Sequence, residues 1–180
     1  MIIDCQQDLM DGSETEVPVW EKERVISIIN QVIAKAQKEQ IDMVFIRDVD
    51  VAEGKGPGFE IHRDIHVPGD AVIFDKAATN AFHGTPLLAH LKDAGIGHLV
   101  MMGCKTEYCI DTAVRTATVS GFDVTLVEDG HTTSDSKALP AEKIIAHHNA
   151  TLHGHYNVEH FAMVRKAEED LFRPAHDQYR

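Results

Sequence analysis

Continuous apolar runs alternate along this chain with longer stretches of helical rhythm, and few folds accommodate that pattern. The runs cover residues 41–46, 71–74, 98–103, 122–127 and 161–164. Several are rich in Val, Ile and Phe and show no in–out alternation, as strands buried on both faces of a parallel sheet do. Between them, residues 20–39 place Val25, Ile28, Ile29, Val32, Ile33 and Ala36 at helical spacing. Further helices are expected over 85–94, ending before Gly95, over 106–120, ending at Gly121, and over 140–153, opened by Pro140. A short last helix is expected over 167–171. Strand–helix–strand units of this kind predict a doubly wound α/β fold, with a mostly parallel sheet of about six strands and helices on both faces. With no repeat, low-complexity tract or linker, residues 1–180 read as one domain.

Two segments break the rhythm. Residues 48–70 hold Gly54, Gly56, Pro57, Gly58, Pro68 and Gly69 and read as a long loop, the kind that lines functional sites. Only three residues precede Asp4, whereas a central strand usually has about five or six. Either the first strand is short or the start codon lies upstream.

The charge balance narrows the partners. Seventeen Lys and Arg against 29 Asp and Glu give a net charge of −12, a poor match to nucleic acid or anionic lipid. No apolar stretch is long enough to span a membrane, and the N-terminus lacks the pattern of a secretory signal. Three Cys without staple-like spacing suggest free thiols and a cytoplasmic protein.

Ligands of open α/β sheets bind beyond the carboxyl ends of the strands. Asp4, Lys76 and Cys109 fall there. With Thr106 as N-cap, Cys109 would occupy the third helical position, where the helix dipole lowers a thiol pKa. Lys76 would favour the thiolate further, and Asp4 could carry the proton to a leaving group. On spacing alone the plainer alternative stays open: a buried Cys109, a capping Asp4 and a surface Lys76.

The local sequences resemble the isochorismatase-like cysteine hydrolases. The segments are Ile2-Ile3-Asp4-Cys5-Gln6-Gln7-Asp8; Phe74-Asp75-Lys76 with Ala81-Phe82; Gly103-Cys104-Lys105-Thr106-Glu107-Tyr108-Cys109; and Gly121-Phe122-Asp123-Val124 leading into Val127-Glu128-Asp129-Gly130. The resemblance implies an Asp4–Lys76–Cys109 triad with Cys109 as nucleophile. It also implies a cis peptide between Cys104 and Lys105, and an oxyanion hole from the Lys105 and Cys109 amides. Retention of the Cys implies hydrolysis of a small amide, carbamoyl or ureido compound through a thioester, by a homo-oligomer without a cofactor. Two other classes stay open: a binding or assembly protein of the same fold with lost activity, and a thiol redox protein using Cys104 and Cys109.

The chain also departs from the family. Nicotinamidases of the family bind a metal through an Asp-x-His pair, but here that place reads Asp48-Val49-Asp50. A set of Asp48, Asp50, His62 and His66 can be drawn, yet no metal is expected, since such sites rely on imidazole. Leu9 stands where an aromatic residue is usual. Leu9, Phe59, Phe82 and Tyr108 are the expected pocket lining. The His-rich stretch 147–155 reads as surface or subunit contact, and Cys5 as packing.

Overall fold

The computed structural model describes residues 1–173 and 175–179. Its sheet contains β1 (Ile2–Ile3), β2 (Val44–Asp48), β3 (Val72–Lys76), β4 (His98–Cys104), β5 (Asp123–Thr132), β6 (Tyr156–Asn157) and β7 (His160–Arg165). The strand order is β3-β2-β1-β4-β5-β7-β6, with every pair parallel except β6–β7. The strand beyond the expected six is β6, a two-residue edge piece too short to leave an apolar run. The order reverses between β1 and β4, and the crevice at such a switch point is where these folds bind ligands.

Helices cover both faces. On one face α2 (Lys22–Lys38) buries Val25, Ile26, Ile29, Val32, Ile33 and Ala36 against Ile2, Phe45 and Met102. Burial of each large side chain contributes roughly 1.5–3 kcal/mol. On the other face α4 (Leu87–Asp93), α5 (Asp111–Val119) and the end of α6 (Ala141–Leu152) pack on Ile3, Ile46, Met101 and Leu126. Ile2 and Ile3 therefore enter opposite cores, as strand alternation requires. No helix among the described residues is long and apolar enough to cross a membrane.

The segment after β1 forms a helix that the sequence rhythm does not announce, α1 (Gln7–Asp11). The loop 48–70 also contains a 3-10 turn, Val51–Gly54, and α3 (Gly56–Phe59). It is zipped to the chain after β1 by Gln7 N–H to Glu60 O (2.8 Å) and His62 N–H to Cys5 O (2.8 Å). The helix expected over 167–171 is absent. Side chains take over the local N–H groups instead: Glu169 accepts from Lys166 (2.7 Å), and Asp170 from Phe172 and Arg173 (3.3 and 3.2 Å). Local acceptors of this kind outcompete a helix too short to repay its nucleation. In the His-rich stretch, His148 and His153 bond to the backbone of Ile144 and Val164.

Gly103 is the tightest point between β1 and β4. Its φ is +127°, and a Cβ there would lie 2.1 Å from Ile3 O. Gly103→Ala should therefore prise the two strands apart and destabilise the protein by at least about 2 kcal/mol in urea unfolding.

Candidate active site

Three strand ends deliver the reactive side chains to one place. Asp4 follows β1 directly, at φ +53°, and its N–H still donates to Ile46 O (2.9 Å). A non-glycine residue in the left-handed region is uncommon and clusters at functional sites. Lys76 is the last residue of β3. Cys109 comes five residues after the end of β4. The Lys76 ammonium lies 3.0 Å from Asp4 Oδ2 and 3.4 Å from Cys109 Sγ. All three are buried, with Lys76 only 1% exposed. A lysine at that depth requires negative partners.

A fourth member is Asp48, at the end of β2, whose carboxylate pairs with Lys76. Its other oxygen accepts the Asp50 N–H (3.0 Å), and Gln6 clamps its backbone through Asp48 N–H to Oε1 (2.7 Å) and Nε2 to Asp48 O (3.0 Å). Parallel register sets Asp48 beside Lys76 on adjacent strands. A sequence reader who trusted that register could have found it.

Asp48 is engaged by Lys76, Asp50 is exposed, His62 is tied to Asp11 (3.1 Å) and His66 is exposed. The four residues drawn as a ligand set do not fit a metal. Asp4, Asp48 and Cys109 do bring donor atoms within 4.8 Å of one another. The cation in their midst is the Lys76 ammonium.

The peptide between Cys104 and Lys105 is cis. The segment after it is not the single helix expected over 106–120. Thr106–Ile110 forms a π-helical turn, with Ile110 N–H bonded to Lys105 O (3.2 Å), and α5 begins only at Asp111. Such turns recur at functional sites. Lys105 and not Thr106 occupies the cap position, so Cys109 is the fourth residue of the turn. The Thr106 hydroxyl instead meets His131 Nδ1 (2.9 Å), and His131 Nε2 meets Asn149 Oδ1 (2.8 Å). Burial lowers the His131 pKa to about 4, against the Asn149 bond, and keeps the ring neutral. Nothing in the local motif signals this His131 brace.

Electrostatics also correct one expectation. Burial pushes the Cys109 thiol above its ordinary value, and the Asp4 carboxylate adds to the rise, which Lys76 opposes without prevailing. Desolvation therefore outweighs the pull of the Lys76 ammonium. Burial likewise raises Asp4 to about 6, although Lys76 and Cys109 pull the other way. Burial works against the Lys76 ammonium too, but Asp4, Cys109 and Asp48 together outweigh it and hold its pKa above the usual lysine range. Near neutral pH the site holds a thiol, a carboxylate and an ammonium.

An isochorismatase-domain model matches residues 1–151. The chain belongs to the isochorismatase family. Streptothricin hydrolase from Streptomyces noursei is 29% identical over 146 residues, which cover 78% of this chain and 56% of the relative. An uncharacterized isochorismatase family protein of Bacillus subtilis (strain 168), YddQ, is 32% identical over 103 residues, covering 55% of this chain and 57% of that protein. The chain thus spans little more than half the length of these relatives. Solved structures share the fold. The N-carbamoylsarcosine amidase of Thermoplasma acidophilum superposes with a TM-score of 0.73 at 17% identity, covering 94% of this chain and 95% of that one. A zinc-complexed pyrazinamidase of Pyrococcus horikoshii gives 0.72 at 24% identity, over 92% and 96%. The proteins it resembles thus include a hydrolase by sequence and amidases by fold.

The pocket residues separate. Leu9 packs in the α2-side core and Phe82 in the opposite one, beside Phe122 at 6.4 Å. Phe59 is buried beneath the Arg47 guanidinium at 4.3 Å. Tyr108, next to the nucleophile candidate, is 57% exposed. Cys5 lies in the α2-side core with Cys104, whose thiol meets Asp4 O (3.1 Å). Cys109 belongs to the other core, and all three cysteines are free.

Replacing His131 by Ala would strand the Thr106 hydroxyl and the Asn149 Oδ1. The substitution should cost about 1–3 kcal/mol of stability by urea unfolding, with partial recovery in His131→Asn.

Proposed function

We propose that this chain is a cysteine hydrolase that cleaves the C–N bond of a small amide, carbamoyl or ureido compound through a thioester. One observation carries the reading: the buried Lys76 ammonium sits between the Asp4 carboxylate and the Cys109 thiol, at 3.0 and 3.4 Å. Asp4 takes the thiol proton as sulfur attacks the carbonyl carbon. The resulting oxyanion is received by the Lys105 and Cys109 amides, each worth on the order of 3 kcal/mol when well aimed. Asp4 then returns the proton to the departing nitrogen, the C–N bond breaks, and ammonia or an amine leaves. Water then attacks the thioester carbonyl with its proton passing to Asp4; the C–S bond breaks, the acid product leaves, and Asp4 returns the proton to the Cys109 sulfur. Lys76 stays protonated throughout and balances the charge that moves between sulfur and carboxylate.

The raised pKa values of both partners serve this cycle. A thiol that holds its proton at rest does not need a ready-made thiolate if a base stands beside it. An Asp near 6 is ionised at neutral pH yet basic enough to accept a proton in passing. The amidases among the structural neighbours support a C–N bond as target, and the unfit metal ligands favour substrates that need no metal.

Ammonia release from a panel of small amides, carbamoyl and ureido compounds tests the reading. Cys109→Ala and Asp4→Asn should each lower turnover at least about 1,000-fold, with the double variant little worse than either, because the groups act as a unit. Full activity in Cys109→Ala would refute the reading.

The pH profile provides a separate check. Asp4 must be ionised to act as base, so kcat/KM should fall as pH drops through about 6 and level off above it. An acid limb near 4, the ordinary Asp range, would remove Asp4 from that role.

A further inference from the structure

Six Ser and Thr side chains are buried among the described residues: Thr106, Thr118, Thr125, Thr132, Thr133 and Ser134. Five of them are hydrogen-bonded. Thr106 meets His131 (2.9 Å) and Thr125 meets His98 (2.8 Å). Thr118, Thr132 and Ser134 donate to the carbonyls of Arg115, Trp20 and Val17 (3.0, 2.7 and 2.9 Å). Thr133 is the exception. It is 0% exposed, and its Oγ1 has no hydrogen-bond partner among the described residues. Leaving a buried hydroxyl unpaired costs stability, so its retention calls for an explanation outside the protein's own bonds.

Its place in the fold supplies one. Thr133 follows β5 directly, at the end of the sheet where ligands bind. β4 and β5 pair Gly103 with His131 and Cys104 with Thr132. The next step along both chains sets Thr133 beside Lys105, whose amide is one of the two oxyanion donors proposed above. The neighbours on either side fix the direction of its side chain. Thr132 and Ser134 both turn to the segment 17–20. His131 turns the other way, to Thr106 at the start of the π-helical turn that carries Cys109. Side chains of an extended chain alternate, so Thr133 points with His131, toward the side of the sheet whose core includes Cys109. The Trp20 N–H donates to Thr133 O (2.8 Å) and holds the backbone in place. The hydroxyl is thus fixed in position with its proton uncommitted.

We infer that Thr133 is a third oxyanion donor, its hydroxyl donating to the carbonyl oxygen of the substrate beside the Lys105 amide. The inference rests on the cysteine-hydrolase reading. As the sulfur electron pair forms the bond to carbon, the carbonyl π pair moves to oxygen, and the Thr133 hydroxyl shares its proton with that oxygen without losing it. When the tetrahedral intermediate collapses, the pair returns to the carbonyl and the contact weakens. Donation breaks no bond inside the protein, because the hydroxyl makes none. A hydrogen bond to a charged oxygen is stronger than one to a neutral carbonyl, so the contact acts on kcat more than on KM.

Thr133→Val removes the hydroxyl and keeps the shape. On the panel compound that the wild-type protein turns over fastest, kcat should fall on the order of 100-fold with KM within about 3-fold of wild type. Thr133→Ser keeps the hydroxyl and should recover most of the rate. Because no bond within the protein is lost, Thr133→Val should unfold at a urea concentration no lower than wild type. An unchanged kcat in Thr133→Val would overturn the inference and leave the hydroxyl with at most a structural water. A rise in KM alone would also overturn it, as would a loss of kcat that Ser does not restore. A Thr133→Val protein that is less stable, or does not fold, would assign the residue to packing and contradict the inference. Wild-type protein without turnover on the panel, or full activity in Cys109→Ala, would overturn the hydrolase reading and this inference with it. A Cys109-dependent wild type with an indifferent Thr133→Val would overturn this inference alone.

Discussion

A lysine ammonium buried at the carboxyl ends of the strands constrains everything around it. Taken alone, such a charge would lose several kcal/mol of hydration and give up its proton. It stays charged because three chain segments bring anionic or polarisable partners to it: Asp4 after β1, Asp48 at the end of β2 and Cys109 beyond β4. Removing one partner from a buried pair typically costs about 3–5 kcal/mol, so the cluster and the parallel register support each other. The Gln6 clamp on Asp48 and the His131 brace on Thr106 hold two of those segments in place.

The same burial sets the chemistry. Desolvation raises Cys109 and Asp4 together, so the proton rests on sulfur and can cross to a nearby carboxylate. A thiol poised by a helix dipole would be reactive toward any electrophile that reached it. A thiol activated only when its partner carboxylate accepts the proton spends less time as thiolate. In the proposed reaction, such a site combines a nucleophile that is quiet at rest with a base tuned toward neutral pH, with Lys76 balancing the charge in both states.

Much of this was legible in the residues. Continuous apolar runs at 98–103 and 122–127 and the helical spacing of Val25 to Ala36 announce a parallel sheet with covering helices, because those patterns come from burial on two faces or one. Asp4, Lys76 and Cys109 stand at or beyond the carboxyl ends of strands, where the fold binds ligands. What escaped depends on contacts distant in sequence. Asp48 is tied to Lys76 only by the pairing of β2 with β3. The His131 brace spans 25 residues to Thr106. The π-helical turn hides within a run that reads as ordinary helix. The direction of the thiol shift depends on burial depth, which spacing does not encode. The helix expected over 167–171 failed for a local reason, the Glu169 and Asp170 side chains.

The central claim is that carbon becomes bonded to Cys109 sulfur during turnover. The direct measurement is intact-protein and peptide mass spectrometry on samples quenched in acid while an amide from the panel is being consumed. The expected result is an added mass equal to the acyl group of the substrate, located on Cys109 and lost on chasing without substrate. Ammonia release with the acyl mass on another residue, or at an unchanged rate from Cys109→Ala, would contradict the account.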